Sequence, residues 1–103
     1  MKEKISVIIP TLNAQDYLPR CLQSIFNACC DLEVIISDGG SHDQTLALAE
    51  DHGLKITHSP QGRGTQLNEG MKQATGDVLV FLHADSIIPS NTFDMLQAFF
   101  FFL

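Results

Sequence analysis

The sequence is short of positive charge: 6 Lys and Arg stand against 12 Asp and Glu, a formal net charge of −6 over 103 residues. No basic patch is left to neutralise a nucleic-acid backbone, which excludes that polymer as the main partner. One phosphorylated small molecule is not excluded, because one or two local cations and a metal suffice for it. Cysteine is scarce and odd in number, at Cys21, Cys29 and Cys30. No disulfide framework follows from it, and reduced thiols in a cytoplasmic setting are expected. The adjacent Cys29–Cys30 pair has no C-x-x-C spacing. No apolar run approaches the ~18 residues of a membrane span. The amino terminus shows no signal peptide, because the run Ile5 to Ile9 is broken by Pro10. The phosphate-binding spacings G-x-x-x-x-G-K-[ST] and G-x-G-x-x-G are missing, as is the G-x-S-x-G elbow. His42, His52 and His58 do not fall at metal-ligand spacing.

What is present is 45% hydrophobic and 17% charged, a globular composition long enough for one domain with a modest core. Apolar runs and amphipathic stretches alternate. Ile5 to Pro10 reads as a strand apolar on both faces. Asp16 is the expected N-cap of a helix with Pro19 in its first turn, and Leu18, Cys21, Leu22, Ile25 and Phe26 form its apolar face before it fades near Cys29 to Asp31. Glu33 to Ser37 is a second buried strand. Ser41 and Gln44 then fit a capping box for a helix to about His52, and Gly53 suits its C′ position. Leu54 to His58 is a third strand. Ser59 to Gly64 is a glycine-rich loop, followed by a helix with Leu67, Met71 and Ala74 on one face, stopped by Gly76. Val78 to Leu82 is a fourth strand, expected to be buried on both faces. Pro89–Ser90 opens a last helix carrying Phe93, Leu96 and Phe100. Strand and helix thus alternate four times, which predicts a three-layer α/β/α fold around a parallel sheet with right-handed crossovers.

Three strands end in polar residues: Thr11 to Asn13, Asp38, and His83 to Asp85. In a parallel sheet these ends share the rim where ligands bind. His83 and Asp85 lie two apart and are expected on one side of an extended chain, where imidazole and carboxylate can share a divalent cation. Asp38 precedes glycines that allow close approach. Its carboxylate suits a base N–H or a ribose hydroxyl, and equally an Asx-turn or a helix cap. Arg63, between Gly62 and Gly64, offers a guanidinium for phosphate oxygens, or is simply a solvated loop residue.

The blocks SVIIPTLNAQDYLPRCLQSI, VIISDGGSHDQT and GRGTQLNEGMKQATGDVLVFLHADS together resemble the amino-terminal half of family 2 glycosyltransferases, in order and spacing, to about Met95. The resemblance implies the GT-A fold, a sheet order of 3-2-1-4, and residues 1–103 as a nucleotide-sugar-binding half. It implies inverting sugar transfer from a UDP- or GDP-type donor, with Mn2+ or Mg2+ stabilising the leaving diphosphate. Pro10 and Thr11 would border the base, Asp38 would bind base or ribose, and Arg63 would approach the diphosphate. Asn13, Gly39 and Ala84 are counted with the donor-binding residues. His83-Ala84-Asp85 would stand at the D-x-D position, with Asp85 and His83 as metal ligands. Two departures are visible: His83 replaces the first aspartate, and Gly39 replaces the second aspartate of the usual DDGS. The acceptor half and the catalytic base are expected beyond Leu103, and the terminal AFFFFL reads as a truncated end, so the chain alone is expected to be inactive. The alternative is a nucleotide-binding or interaction module without transfer. Also expected are a homo-oligomer, through an open edge at the fourth strand and the apolar tail, and an acceptor peripheral to the inner face of a membrane.

Overall fold

The computed structural model describes residues 4–28 and 32–95. β1 (Ile5–Thr11), α1 (Leu18–Ala28), β2 (Leu32–Asp38), α2 (Thr45–Asp51), β3 (Lys55–His58), α3 (Arg63–Lys72) and β4 (Val78–Phe81) follow one another in the order that the alternation predicts. The four strands form one sheet ordered β3-β2-β1-β4, parallel at every pairing. The last predicted helix is seen as one turn at 92–95. Cys29, Cys30, Leu96 and Phe100 lie outside the described residues.

β1 is central, and its alternation of faces divides the core. Ile5, Val7 and Ile9 point to the side of α1, where they meet Leu18, Cys21, Leu22 and Ile25, with Val34 and Ile36 of β2, Ala49 of α2 and Phe93. Ile8 and Ser37 point to the opposite face, against α3. The helices therefore cover both faces, as a parallel sheet requires.

Several local expectations are corrected. Phe26 is exposed rather than buried and stacks on His52 of the α2 cap, with ring centroids 5.9 Å apart. Asp16 makes no capping bond among the described residues; the turn before α1 closes on the Ala14 carbonyl, which accepts from Tyr17 and Leu18. The α2 capping box does not form, because Ser41 is engaged elsewhere. Asp43 instead accepts the Thr45 N–H at 2.9 Å. The α2 end is as expected: Gly53 has φ +67°, donates to Glu50, and is followed by a Leu54 N–H to the Ala49 carbonyl. α3 buries Gln66 and Gly70, not the Leu67–Met71 face. β4 is only half-buried, and Phe81 is 49% exposed. Its composition resembles that of β1, but β1 is its sole neighbour among the described residues.

At the amino-terminal rim, Glu33 ties three strands and the loop before β4 together. It accepts from Ser6 Oγ at 2.7 Å, from the Thr75 N–H at 2.8 Å, from Thr75 Oγ1 at 3.0 Å and from Lys55 Nζ at 3.0 Å. Burial alone would raise its pKa; these donors outweigh burial and bring it down from 4.5 to about 2. A depressed carboxyl stabilises the fold above its unfolded value and loses that contribution as pH falls through its folded value. Glu33→Gln is therefore expected to cost about 2 kcal/mol near neutral pH. The gap between variant and wild type in urea unfolding should close as pH falls from about 6 to about 2. A gap that does not change with pH would show that the charge is not what matters.

Candidate functional site

The carboxyl rim is built from two loops joined side by side. The loop after β1 turns at Asn13, the one non-glycine residue of positive φ (51°) among the described residues. Its N–H donates to Ser41 Oγ at 2.8 Å, and its Oδ1 accepts the His42 N–H at 2.8 Å. In the next two residues, the Ala14 N–H reaches Thr45 Oγ1 at 2.8 Å, and Gln15 Oε1 accepts the Gln44 N–H at 3.0 Å. Side chains of each loop thus satisfy backbone donors of the other, which explains a loop conformation that neither stretch would hold alone.

Asp38 organises this junction. Its Oδ1 accepts from Thr11 Oγ1 at 2.7 Å and Ser41 Oγ at 2.6 Å; its Oδ2 accepts the N–H groups of Gly40 at 3.0 Å and Ser41 at 2.8 Å. Burial would raise its pKa, but the Ser41, Thr11 and Gly40 donors hold it below the usual carboxylate range. It is 1% exposed. Of the two roles open from the sequence, the hydrogen bonds display the Asx-turn. All of the roughly four acceptor positions of a carboxylate are taken.

Gln66 is the residue that sequence reasoning missed. It is 5% exposed on the inner face of α3. Nε2 donates to the Thr11 carbonyl at 2.9 Å and the Ser37 carbonyl at 3.0 Å, while Oε1 accepts the Gly62 N–H at 3.1 Å. It joins the ends of β1 and β2 to the start of α3. The available signal was its spacing of four from Gly70, the glycine that lets α3 approach β1 closely.

A cleft of about 270 Å3 opens here, lined by Pro10, Thr11, Leu12, Gln61, Gly62, Arg63, Gln66 and His83. Four residues singled out in the sequence thus meet: Pro10 and Thr11 from β1, Arg63 and His83. Arg63 is not in a flexible loop but is the first residue of α3, whose Gly62 N-cap offers no side-chain acceptor. Arg63 lines the cleft at the N-terminal end of α3, a setting that favours an anion. Asn13, Asp38, Gly39, Ala84 and Asp85 do not line the cleft. Asp38 reaches it through Thr11, and Gly39 through Gln66.

His83 lines the cleft and Asp85 does not. The strand ends at Phe81, and Ala84–Asp85 turn, closed by the Ser86 N–H on the His83 carbonyl at 3.0 Å. The two-residue alternation that would put both side chains on one side needs an extended chain, and the chain is no longer extended there. Asp85 lies near α1 instead. Burial first, and the Asp85 charge second, push the Cys21 thiol up to about 11. Cys21 Sγ also contacts the His83 carbonyl at 3.7 Å, so α1 supports this turn from beneath.

The family model for glycosyl transferase family 2 matches residues 6–101. The chain belongs to glycosyltransferase family 2. Among relatives in this family, a PGL/p-HBAD biosynthesis glycosyltransferase of Mycobacterium bovis is 41% identical, over 91% of this chain and 40% of its own length. The chain therefore spans about 40% of the curated relatives of this kind. Among solved structures, S. aureus TarS superposes with a TM-score of 0.87 at 32% identity, over 93% of this chain and 32% of that one. TarS has also been solved with UDP-GlcNAc. Glucosyl-3-phosphoglycerate synthase from Mycobacterium tuberculosis, solved with Mn2+, UDP and glucosyl-3-phosphoglycerate, superposes at 0.71 with 27% identity, over 80% of this chain and 33% of that one. The fold is the GT-A fold of these transferases, in the strand order expected from the family.

Among the described residues no group of three or more His, Cys, Asp or Glu side chains is placed to hold a metal. The exposed Asp85 carboxylate and the His83 imidazole form a sparse donor set. It fits a cation that takes most of its oxygen ligands from water and a diphosphate.

Proposed function

We propose that residues 1–103 form the nucleotide-sugar-binding half of a glycosyltransferase, and that the cleft between Pro10, Arg63 and His83 takes the nucleoside diphosphate of a UDP- or GDP-type donor. The observation that carries this reading is the convergence of β1, β4 and the start of α3 on one cleft at the carboxyl rim. Pro10 and Thr11 supply a flat, partly apolar wall for the base. Arg63 and the uncapped first turn of α3 face the phosphates. Asp38, Asn13 and Gly39 act indirectly, by shaping the rim through Thr11, Ser41 and Gln66. Mn2+ or Mg2+, bound with the donor beside Asp85 and His83, would supply charge stabilisation for the leaving diphosphate in inverting transfer. Relatives solved with UDP, UDP-GlcNAc and Mn2+ support this assignment. A cytoplasmic setting and a membrane-peripheral acceptor belong to the same reading; no helix among the described residues is long and apolar enough to cross a membrane.

Calorimetry with UDP and GDP tests it. Both are expected to bind with Mn2+ and more weakly with a chelator. Arg63→Ala should weaken binding by about tenfold, the loss of one charge-assisted contact. Asp85→Asn should weaken it more than His83→Ala. Equal affinity with and without chelator would remove the metal from the proposal.

Self-association is part of the proposal as well. β4 has one free edge among the described residues, and Phe81 beside it is half exposed. Light scattering at micromolar concentration is expected to give a dimer mass; a monomer mass would end this idea.

A further inference from the structure

We infer that the Gln66 carboxamide is a base-recognising group of the cleft, whose Oε1 accepts a ring N–H of the donor's base. This rests on the donor-binding reading and sharpens it. Both Nε2 hydrogens are spent on the Thr11 and Ser37 carbonyls. Flipping the amide would set its oxygen against those two buried carbonyls, so the orientation is locked. Oε1 accepts only the Gly62 N–H, and an amide oxygen has two lone pairs. Gly62 and Gln66 both line the cleft, which leaves the second lone pair available to a group bound there. The nearby Asp38 carboxylate has no comparable capacity left, with four donors already on it.

The neighbouring glycine supports this assignment. A Cβ on Gly39 would lie 2.8 Å from Gln66 Cδ and 2.8 Å from Oε1. Gly39 is not among the residues of positive φ. What requires glycine there is the amide, not the backbone. The position where the family usually carries the second aspartate of DDGS is thus empty of a side chain, and Gln66 fills its room. A neutral, fixed acceptor replaces a carboxylate. Such an acceptor fits uracil, thymine or guanine, which carry a ring N–H. It faces a lone pair when the base is cytosine.

UDP and CDP differ only at that edge of the base, so their ratio of affinities is the readout, measured by calorimetry with Mn2+. UDP should bind at least about tenfold tighter to the wild type, and Gln66→Ala should bring the ratio to within about twofold. Because Gln66→Ala leaves two buried carbonyls unpaired, Gly39→Ser combined with Gln66→Ala, which returns a small polar group to the vacated room, serves as a second variant. Whichever variant retains a cooperative melt decides the matter. A wild-type ratio near one, or a ratio that survives in a folded variant, overturns the role of Gln66 and leaves donor binding standing. Failure of the wild type to bind either nucleotide overturns the donor reading and this inference with it.

Discussion

Asp38→Ala is expected to lower the unfolding free energy by about 3–4 kcal/mol and to abolish nucleotide binding together with it. The carboxylate serves four donors, and a buried donor left without a partner costs about 1–3 kcal/mol. The sum is not simply four such penalties. Gly40 is exposed, so water can reach that N–H, and the Thr11 and Ser41 hydroxyls can rotate to other acceptors. Binding suffers beyond stability because Ser41 also holds Asn13, so the loss spreads into the loop after β1. Asp38→Asn keeps the shape but turns an amide N–H2 toward donors, and should fall between wild type and alanine. Because its pKa is depressed, the contribution of Asp38 is present above the ordinary carboxylate range and disappears as pH falls through its lower folded value. Urea unfolding followed by circular dichroism measures these differences. If Asp38→Ala is as stable as wild type, the two-loop junction is not held in the way described.

Gly76→Ala is expected to cost about 3 kcal/mol or more, lowering the melting temperature by more than roughly 10 °C. The added Cβ would lie 2.5 Å from Ser6 Oγ, 2.8 Å from the Ser6 nitrogen and 2.9 Å from the Lys4 carbonyl oxygen. Two of the three are backbone atoms, one in the central strand and one in the residue just before it, and cannot swing aside. The same point anchors β4, since Asp77 and Val78 both donate to the Lys4 carbonyl. Gly70→Ala makes the instructive contrast. Its Cβ would approach Ile8 Cγ2 at 2.5 Å, but that is a side-chain methyl, and alanine recovers up to about 1 kcal/mol of helix propensity. A smaller net loss of about 1–2 kcal/mol follows. Gly53, with φ +67° and open space around it, should cost only about 1 kcal/mol as alanine. Thermal melts of the three variants test the order. If Gly76→Ala proves no worse than Gly53→Ala, close backbone packing is not what pins β4.

The alternation of apolar runs with helical periodicities, read from the chain alone, was enough to determine seven elements, their parallel sheet and the rim where polar residues collect. Apolar patterning is a local property, and it survives folding because each strand and helix must bury its own apolar face. Whether a strand is central or at an edge is not local: Val78 to Leu82 is as apolar as Ile5 to Pro10, yet only the neighbours on each side make one half-buried and the other inaccessible. The same holds for polar side chains. Asp38, Asn13 and Ser41 were visible as strand-end or cap residues, but the bonds that join the two loops, Thr11 to Asp38 and Asn13 to Ser41, span 27 and 28 positions, which sequence spacing does not encode. Gln66 looked like an ordinary helix residue because the carbonyls that it satisfies belong to two other strands. His83 and Asp85 were legible as a pair of residue types, while which of them lines the cleft was decided by where β4 ends and the chain turns. Composition and periodicity determine which surfaces are buried; tertiary structure decides which lone pairs and N–H groups meet, because those contacts depend on the packing of elements distant in the chain.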